Sequence, residues 1–217
     1  IMACRQGGAD PDANFRLKDA ILRAREASMP RDNIDRLLEK ARGGGEGNDL
    51  DEIVYEGYGP DGVAIMVEAA TNNRNRTAAE IRLIFSKNAG NIGESGCVGW
   101  LFERKGLISG PARGLDEERM MELAIEAGAD DVEFDGDIFT MICDIGVMQE
   151  IRIELNKQKI EVDRYELTMI PKTTTSVSAE AAPQLLKLID LLEDHDDVNQ
   201  VHSNFDLPAE VLEALEA

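Results

Sequence analysis

The sequence predicts an α+β protein. Three observations carry the prediction: an opening with helical periodicity only, a switch to alternating apolar residues near position 50, and a strand–helix–strand–strand–helix–strand order over residues 104–171. A chain of 217 residues has room for two or three domains.

In the opening segment, Asp10-Pro11 reads as a helix start, with Asp as N-cap and Pro in the first turn. Ala13, Leu17, Ala20, Ile21 and Ala24 then form one apolar stripe, while Phe15 and Leu22 lie on the opposite face, so this helix needs two neighbours. Met29-Pro30 breaks it. A second helix follows with Ile34, Leu37, Leu38 and Ala41 inward, and Gly43 to Asp49 reads as a linker. A third helical partner is expected ahead of Ile1, which is not a natural start residue.

From residue 50 the period changes to two. EIVYEGYGPDGVAIMVEAA reads as a hairpin, with Gly59-Pro60-Asp61-Gly62 as a type I turn. Thr77 followed by Glu80 fits a capping box, and Ile81, Ile84 and Phe85 then face inward on a helix that Asn88-Ala89-Gly90 closes. GNIGESGCVG leads into the strand-like WLF and GLIS. Helices are expected at 116–127 and 147–158, and strands near 132–134, 138–143 and 162–170, with Tyr165, Leu167 and Met169 on one face. That order is ferredoxin-like. After TTTSVS, Leu185, Leu188, Ile189 and Leu192 mark a helix, and VNQVHSNFDL a strand; the two are expected to return to the sheet begun at residue 52.

Composition narrows the function. Hydrophobic residues make up 43% and charged residues 30%, the balance of a soluble globular chain. No window reaches the roughly 18 apolar residues of a membrane helix, and no secretory signal is read. Cys4, Cys97 and Cys143 are odd in number and widely spaced, so they read as reduced thiols in the cytoplasm. His195 and His202 lack the ligand spacing of a zinc site.

No chemistry is visible. GNIGESGCVG is neither GxGxxG nor a phosphate loop, and it reads as a flexible turn. Ser95 is not in a nucleophile elbow, because Cys97 stands where the second glycine belongs. The acids of DHDD, 194 to 197, lack the order of a calcium loop and read as a solvated helix end. No catalytic residue, metal site or cofactor is expected, and no small-molecule substrate.

The net charge of −20 repels phosphate backbones, but it is uneven. Residues 1–45 hold nine Lys or Arg against seven Asp or Glu, and the remainder fourteen against thirty-six. Asp12 with Arg16, Asp19 with Arg23 and Asp32 with Arg36 are helix-stabilising pairs four residues apart. Lys18 and Arg25 share a face without such acids and are better phosphate candidates, joined by Arg31 on the second helix. The second candidate patch is Asn72, Asn73, Arg74, Asn75 and Arg76 at a helix N-terminus, with Arg82 one turn and a half further on. This stretch reads both as a cap and as a grip on an anion.

RQGGADPDAN, ASMPRDNIDR, YEGYGPDGVAIMVEAATNNRNRTAAEIR, KNAGNIGESGCVGWLFERKG and AIEAGADDVE, in this order and spacing, resemble the YebC family. The resemblance implies a cytoplasmic, non-enzymatic protein of three domains. A helical domain would take residues 1–48. A discontinuous α+β domain would take 49–104 and 172–217, with a ferredoxin-like domain inserted at 105–171. The resemblance also implies a regulator of gene expression that binds DNA, or alternatively a translation factor that meets ribosomal RNA and relieves stalled ribosomes. The basic segment usual before RQGG in that family is not in this sequence. A reading of another class is an acidic module that docks on a basic protein. The residues alone do not separate these three.

Overall fold

The computed structural model describes Cys4, residues 10–11, 14–26, 29–42, 50–208 and 210–211. The first helices with described bounds are α1 (Phe15–Glu26) and α2 (Arg31–Arg42). The start of α1 differs from expectation. Asn14, not Asp10, caps it: Asn14 Oδ1 accepts from Leu17 N at 3.2 Å, and Asn14 N donates to Asp10 O at 2.8 Å, which folds Asp10-Pro11 into a preceding turn. Leu17 and Ile34 are buried, but Leu37 is 37% exposed. Ile34 and Leu38, four apart, set the inward line of α2, and Leu37 falls outside it. Ala13, the side chains of Phe15, Leu22 and Ala41, and the 43–49 linker lie outside the described residues.

The strand region begins with β1 (Asp51–Tyr58), β2 (Ala64–Thr71), α3 (Arg74–Lys87) and β3 (Asn91–Ile92). β1 and β2 form the expected hairpin, with Tyr58 opposite Ala64 and Asp51 opposite Thr71. Its turn is not type I, because Asp61 sits at φ 56°, ψ 17° where type I needs φ near −90°. Asp tolerates this region, and its carboxylate accepts from Ser178 N and Oγ at 2.8 and 2.7 Å. The chain continues through β4 (Phe102–Pro111), α4 (Glu117–Ala127), β5 (Ala129–Asp135), β6 (Ile138–Cys143), α5 (Met148–Lys157) and β7 (Arg164–Pro171). It continues with β8 (Thr175–Ser176), α6 (Ala182–Glu193), β9 (Val198–Ser203) and β10 (Phe205–Asp206).

The elements divide into two compact units. One comprises residues 104–168 and the described part of the first 47. Its sheet has the order β5-β6-β4-β7, so the first strand of the β-α-β-β-α-β run lies between the third and the fourth. Ile108, Phe139, Met141 and Cys143 from the strands meet Met120, Leu123 and Ala124 of α4 and Met148, Ile151 and Leu155 of α5 in one core. Tyr165 and Leu167 pack against that core; Met169, which alternation put on the same face, packs in the other unit.

The other unit comprises residues 48–103 and 169–217, as far as they are described. Its sheet runs β3-β1-β2-β9, so the late strand does return to the early sheet, with Met66 opposite His202. β2 is buried on both faces. Val63, Ile65 and Val67 pack on Ile81 and Phe85 of α3 and on Leu185, Leu188 and Leu192 of α6, while Ala64 and Met66 meet Val98 and Phe102. VNQVHSNFDL is two strands rather than one. Buried Asn204 makes the corner: its Oδ1 accepts from Ala64 N at 2.8 Å, and its Nδ2 donates to Thr173 O and Thr175 Oγ1 at 3.1 Å each. Among the described residues no helix is long and apolar enough to cross a membrane.

Candidate nucleic-acid interface

The Asn/Arg stretch sits where β2 ends and α3 begins. The cap is Asn73, whose Oδ1 accepts from Arg76 N at 3.1 Å. The expected capping box of Thr77 and Glu80 is therefore not formed. Thr77 lies a full turn inside the helix and is fully buried. Its Oγ1 stands 2.5 Å from Asp197 Oδ2 and 2.8 Å from Thr71 Oγ1.

Asp197, at the entry to β9, binds this stretch to the late strand. Arg76 Nη2 donates to its Oδ2 at 2.7 Å, and its carbonyl accepts from Ala70 N at 2.8 Å. Burial acts upward on the Asp197 carboxyl, but the bonds from Thr77, Arg76 and Thr71 outweigh it and hold the group below the usual carboxylate range. His195 completes the cluster. Its Nδ1 accepts from Asp197 N at 3.1 Å, which leaves the proton on Nε2, 3.1 Å from Glu80 Oε2. DHDD is thus only half a solvated helix end: Asp194 and Asp196 are exposed, whereas His195 and Asp197 are tied to α3.

The candidate residues therefore fall into different situations. Asn73 and Arg76 hold the fold, through the cap and Asp197. Arg74 lies 3.9 Å from Asp51, with its side chain 66% exposed. Asn72, Asn75 and Arg82 are exposed. Asn75, Ala79, Arg82 and Ser86 recur at helical spacing on the outward side of α3, all exposed and none acidic. In the other unit Lys18 is half-buried and Arg25 exposed, and Arg31 lies 3.8 Å from Asp35 on the same helix. The two groups belong to different units and are described separately.

Sequence reasoning missed Glu56. It stands on β1 in an alternating pattern that reads as solvent-facing, yet it is 7% exposed. Gly96 N donates to its Oε1 at 2.7 Å, and Val98 N and Gly99 N donate to its Oε2 at 2.8 and 2.6 Å. The glycine loop is thus neither a phosphate cradle nor a free turn. It wraps an anion that the protein itself supplies. Burial raises the Glu56 carboxyl, and the three N–H groups more than offset that, leaving it below the usual range. Gly96 has φ +88°, a conformation that favours glycine, and a Cβ on Gly99 would stand a tight 3.3 Å from Glu56 Oε2. The only signal for it was the loop's glycine spacing.

The description "TACO1/YebC second and third domain" matches residues 50–205. The chain belongs to the TACO1/YebC family. Its first 44 residues match the description "TACO1/YebC protein N-terminal domain". A TACO1/YebC relative from Carboxydothermus hydrogenoformans, named probable transcriptional regulatory protein, is 48% identical over 210 residues, covering 95% of this chain and 86% of that protein. One from Natranaerobius thermophilus with the same name is 45% identical over 216 residues, covering 98% and 86%. A crystal structure of a conserved hypothetical protein from Aquifex aeolicus superposes with a TM-score of 0.87 at 43% identity, covering 97% of this chain and 87% of that one. The mixed α+β architecture is common to both structures. Among the described residues no group of three or more His, Cys, Asp or Glu is placed to hold a metal ion.

Proposed function

We propose that this TACO1/YebC chain is a non-enzymatic regulator of gene expression that works by binding nucleic acid. The observation that carries the reading is the acid-free outer stripe of α3, Asn75, Ala79, Arg82 and Ser86, on a chain of net charge −20. Small residues there let a phosphate backbone come close, while Asn75 and Arg82 donate to it, with Asn72 and Arg74 beside them. The names of the relatives support the same reading. Lys18, Arg25 and Arg31, in the other unit, are further phosphate contacts. The three-domain division at 1–48, 49–104 with 172–217, and an inserted ferredoxin-like 105–171 is part of this proposal, as is a cytoplasmic place of action.

Duplex DNA and ribosomal RNA both present the phosphates this stripe suits. Co-sedimentation with purified ribosomes, with excess duplex DNA as competitor and a parallel DNA gel-shift, tests the reading. Pelleting that survives the competitor assigns the ribosome as the target; stripping by DNA assigns the transcriptional role. Failure to bind either at low salt contradicts the proposal.

One observation favours a second reading, docking on a basic protein. On α4, Ile125 is 75% and Met121 45% exposed, and Glu118, Glu122 and Glu126 stand alongside them. An apolar ridge with an acidic flank suits an amphipathic, cationic segment. This reading expects protein partners that survive nuclease treatment and are lost on Ile125→Ser. Capture that depends on RNA alone counts against it.

A further inference from the structure

Trp100 is the chain's sole tryptophan, and it is 65% exposed. A single exposed apolar side chain normally needs no explanation. This one is fixed in place. Its Nε1–H donates to Cys97 O at 3.1 Å, and the same carbonyl accepts from Tyr58 OH at 3.0 Å. Its own carbonyl accepts from Lys172 Nζ at 3.2 Å. The turn that carries it, Gly99–Leu101, begins with one of the N–H groups that close on Glu56. An indole held at both its ring and its backbone has already lost the freedom that binding would otherwise remove.

The surroundings indicate the ligand. The exposed residues next to the turn in sequence include Glu94, Ser95, Gly96, Glu103 and Arg104, none of them apolar; the two acids disfavour a phosphate on their own side and leave Lys172 as the side for it. The other large apolar residues exposed in this unit, Val54, Leu83 and Leu191, lie on β1, α3 and α6, not on this loop. Protein-binding anchors sit inside a packed apolar field. A lone flat ring whose own backbone carbonyl holds an ammonium instead fits one flat unit that carries a phosphate. Lys172 has three N–H donors, so it can hold the Trp100 carbonyl and a phosphate oxygen together.

We propose that Trp100 is a stacking platform for an unpaired nucleobase, with Lys172 at the adjoining phosphate. This rests on the nucleic-acid reading above and adds to it a preference for single-stranded segments, of RNA or DNA, at this loop. Base–aromatic stacking of this kind changes affinity by about tenfold or more when the ring is removed.

The test uses the full chain and three labelled probes: a 12-nucleotide mixed-sequence RNA, the same DNA strand, and its duplex. Binding is read by probe anisotropy and, in parallel, by Trp100 emission. The expected result is that the single strands quench the emission with the midpoint seen in anisotropy, while the duplex does not quench. Trp100→Ala should lose about tenfold in single-strand affinity only, and Trp100→Phe should retain most of it. The ratio between the RNA and DNA arms assigns the source. Single-strand binding without quenching, or unchanged in Trp100→Ala, overturns the stacking inference and leaves the nucleic-acid reading intact. No binding of any probe overturns both.

Discussion

Arg76 Nη2 lies 2.7 Å from Asp197 Oδ2, and this pair joins the start of α3 to the start of β9 across 121 positions of sequence. An arginine in an Asn-rich loop invites a phosphate-binding role, but its carboxylate partner is internal. Arg76→Ala leaves Asp197 with two hydroxyls and no cation. The expected result is a lower urea midpoint than wild type, with the loss limited by solvent screening because the Arg76 side chain is 47% exposed. A double-mutant cycle with Asp197→Ala should return a coupling energy; strictly additive losses would mean the pair is incidental.

The cap assignment makes a separate prediction. Asn73→Ala should cost about 1 kcal/mol, whereas Glu80→Gln should cost little, because Glu80 does not reach back to the cap and a glutamine oxygen can still accept from His195 Nε2. Equal costs for the two would restore the capping box read from the sequence. Thr77→Val, nearly isosteric, should cost about 1–3 kcal/mol through the lost donor to Asp197.

Glu56 predicts an acid-sensitive fold. Its carboxyl is held below the usual range in the folded chain, so its stabilising contribution is complete above the unfolded carboxylate range and is lost as pH falls through the folded value. Asp197 acts in the same direction. Glu56→Gln turns an N–H₂ toward N–H donors and should destabilise by about 2–4 kcal/mol at pH 7, with a flatter acid limb than wild type. An unchanged acid limb in Glu56→Gln would show that the wrap does not depend on the charge.

Cys143 predicts reagent behaviour. It is fully buried, and burial, with Asp130 and Asp144 nearby, pushes its thiol up to about 11. Alkylation by iodoacetamide at pH 8 should leave it untouched until the chain is unfolded, as peptide mass mapping would show. Prompt labelling of Cys143 in the native chain would contradict its placement in the core.

What the sequence made legible follows from period. Leu185, Leu188 and Leu192 recur at helical spacing and all are buried; Val63, Ile65 and Val67 recur at strand spacing and all are buried. These patterns act locally, so they can be read locally. The misread features depend on residues brought together by topology. Nothing near Glu56 announces that a loop 40 residues later will supply three donors, and nothing near Arg76 announces Asp197. The cap was misplaced by four residues because Asn73 and Thr77 are both competent caps, and only the second has a glutamate three positions on. Of the candidate contacts, the stripe of α3 was half visible. Its one cation, Arg82, could be read, but the absence of acid on that face required the helix register.

The central claim is that the outer stripe of α3 meets phosphates. The most direct measurement is the affinity of wild type and Arg82→Ala for one nucleic-acid probe across a salt series. Arg82 is exposed and outside the buried core, so the substitution should leave the melting curve unchanged. The account predicts weaker binding and a log–log salt slope smaller in magnitude by about one. Superimposable salt curves for the two proteins would contradict it and remove α3 from the interface.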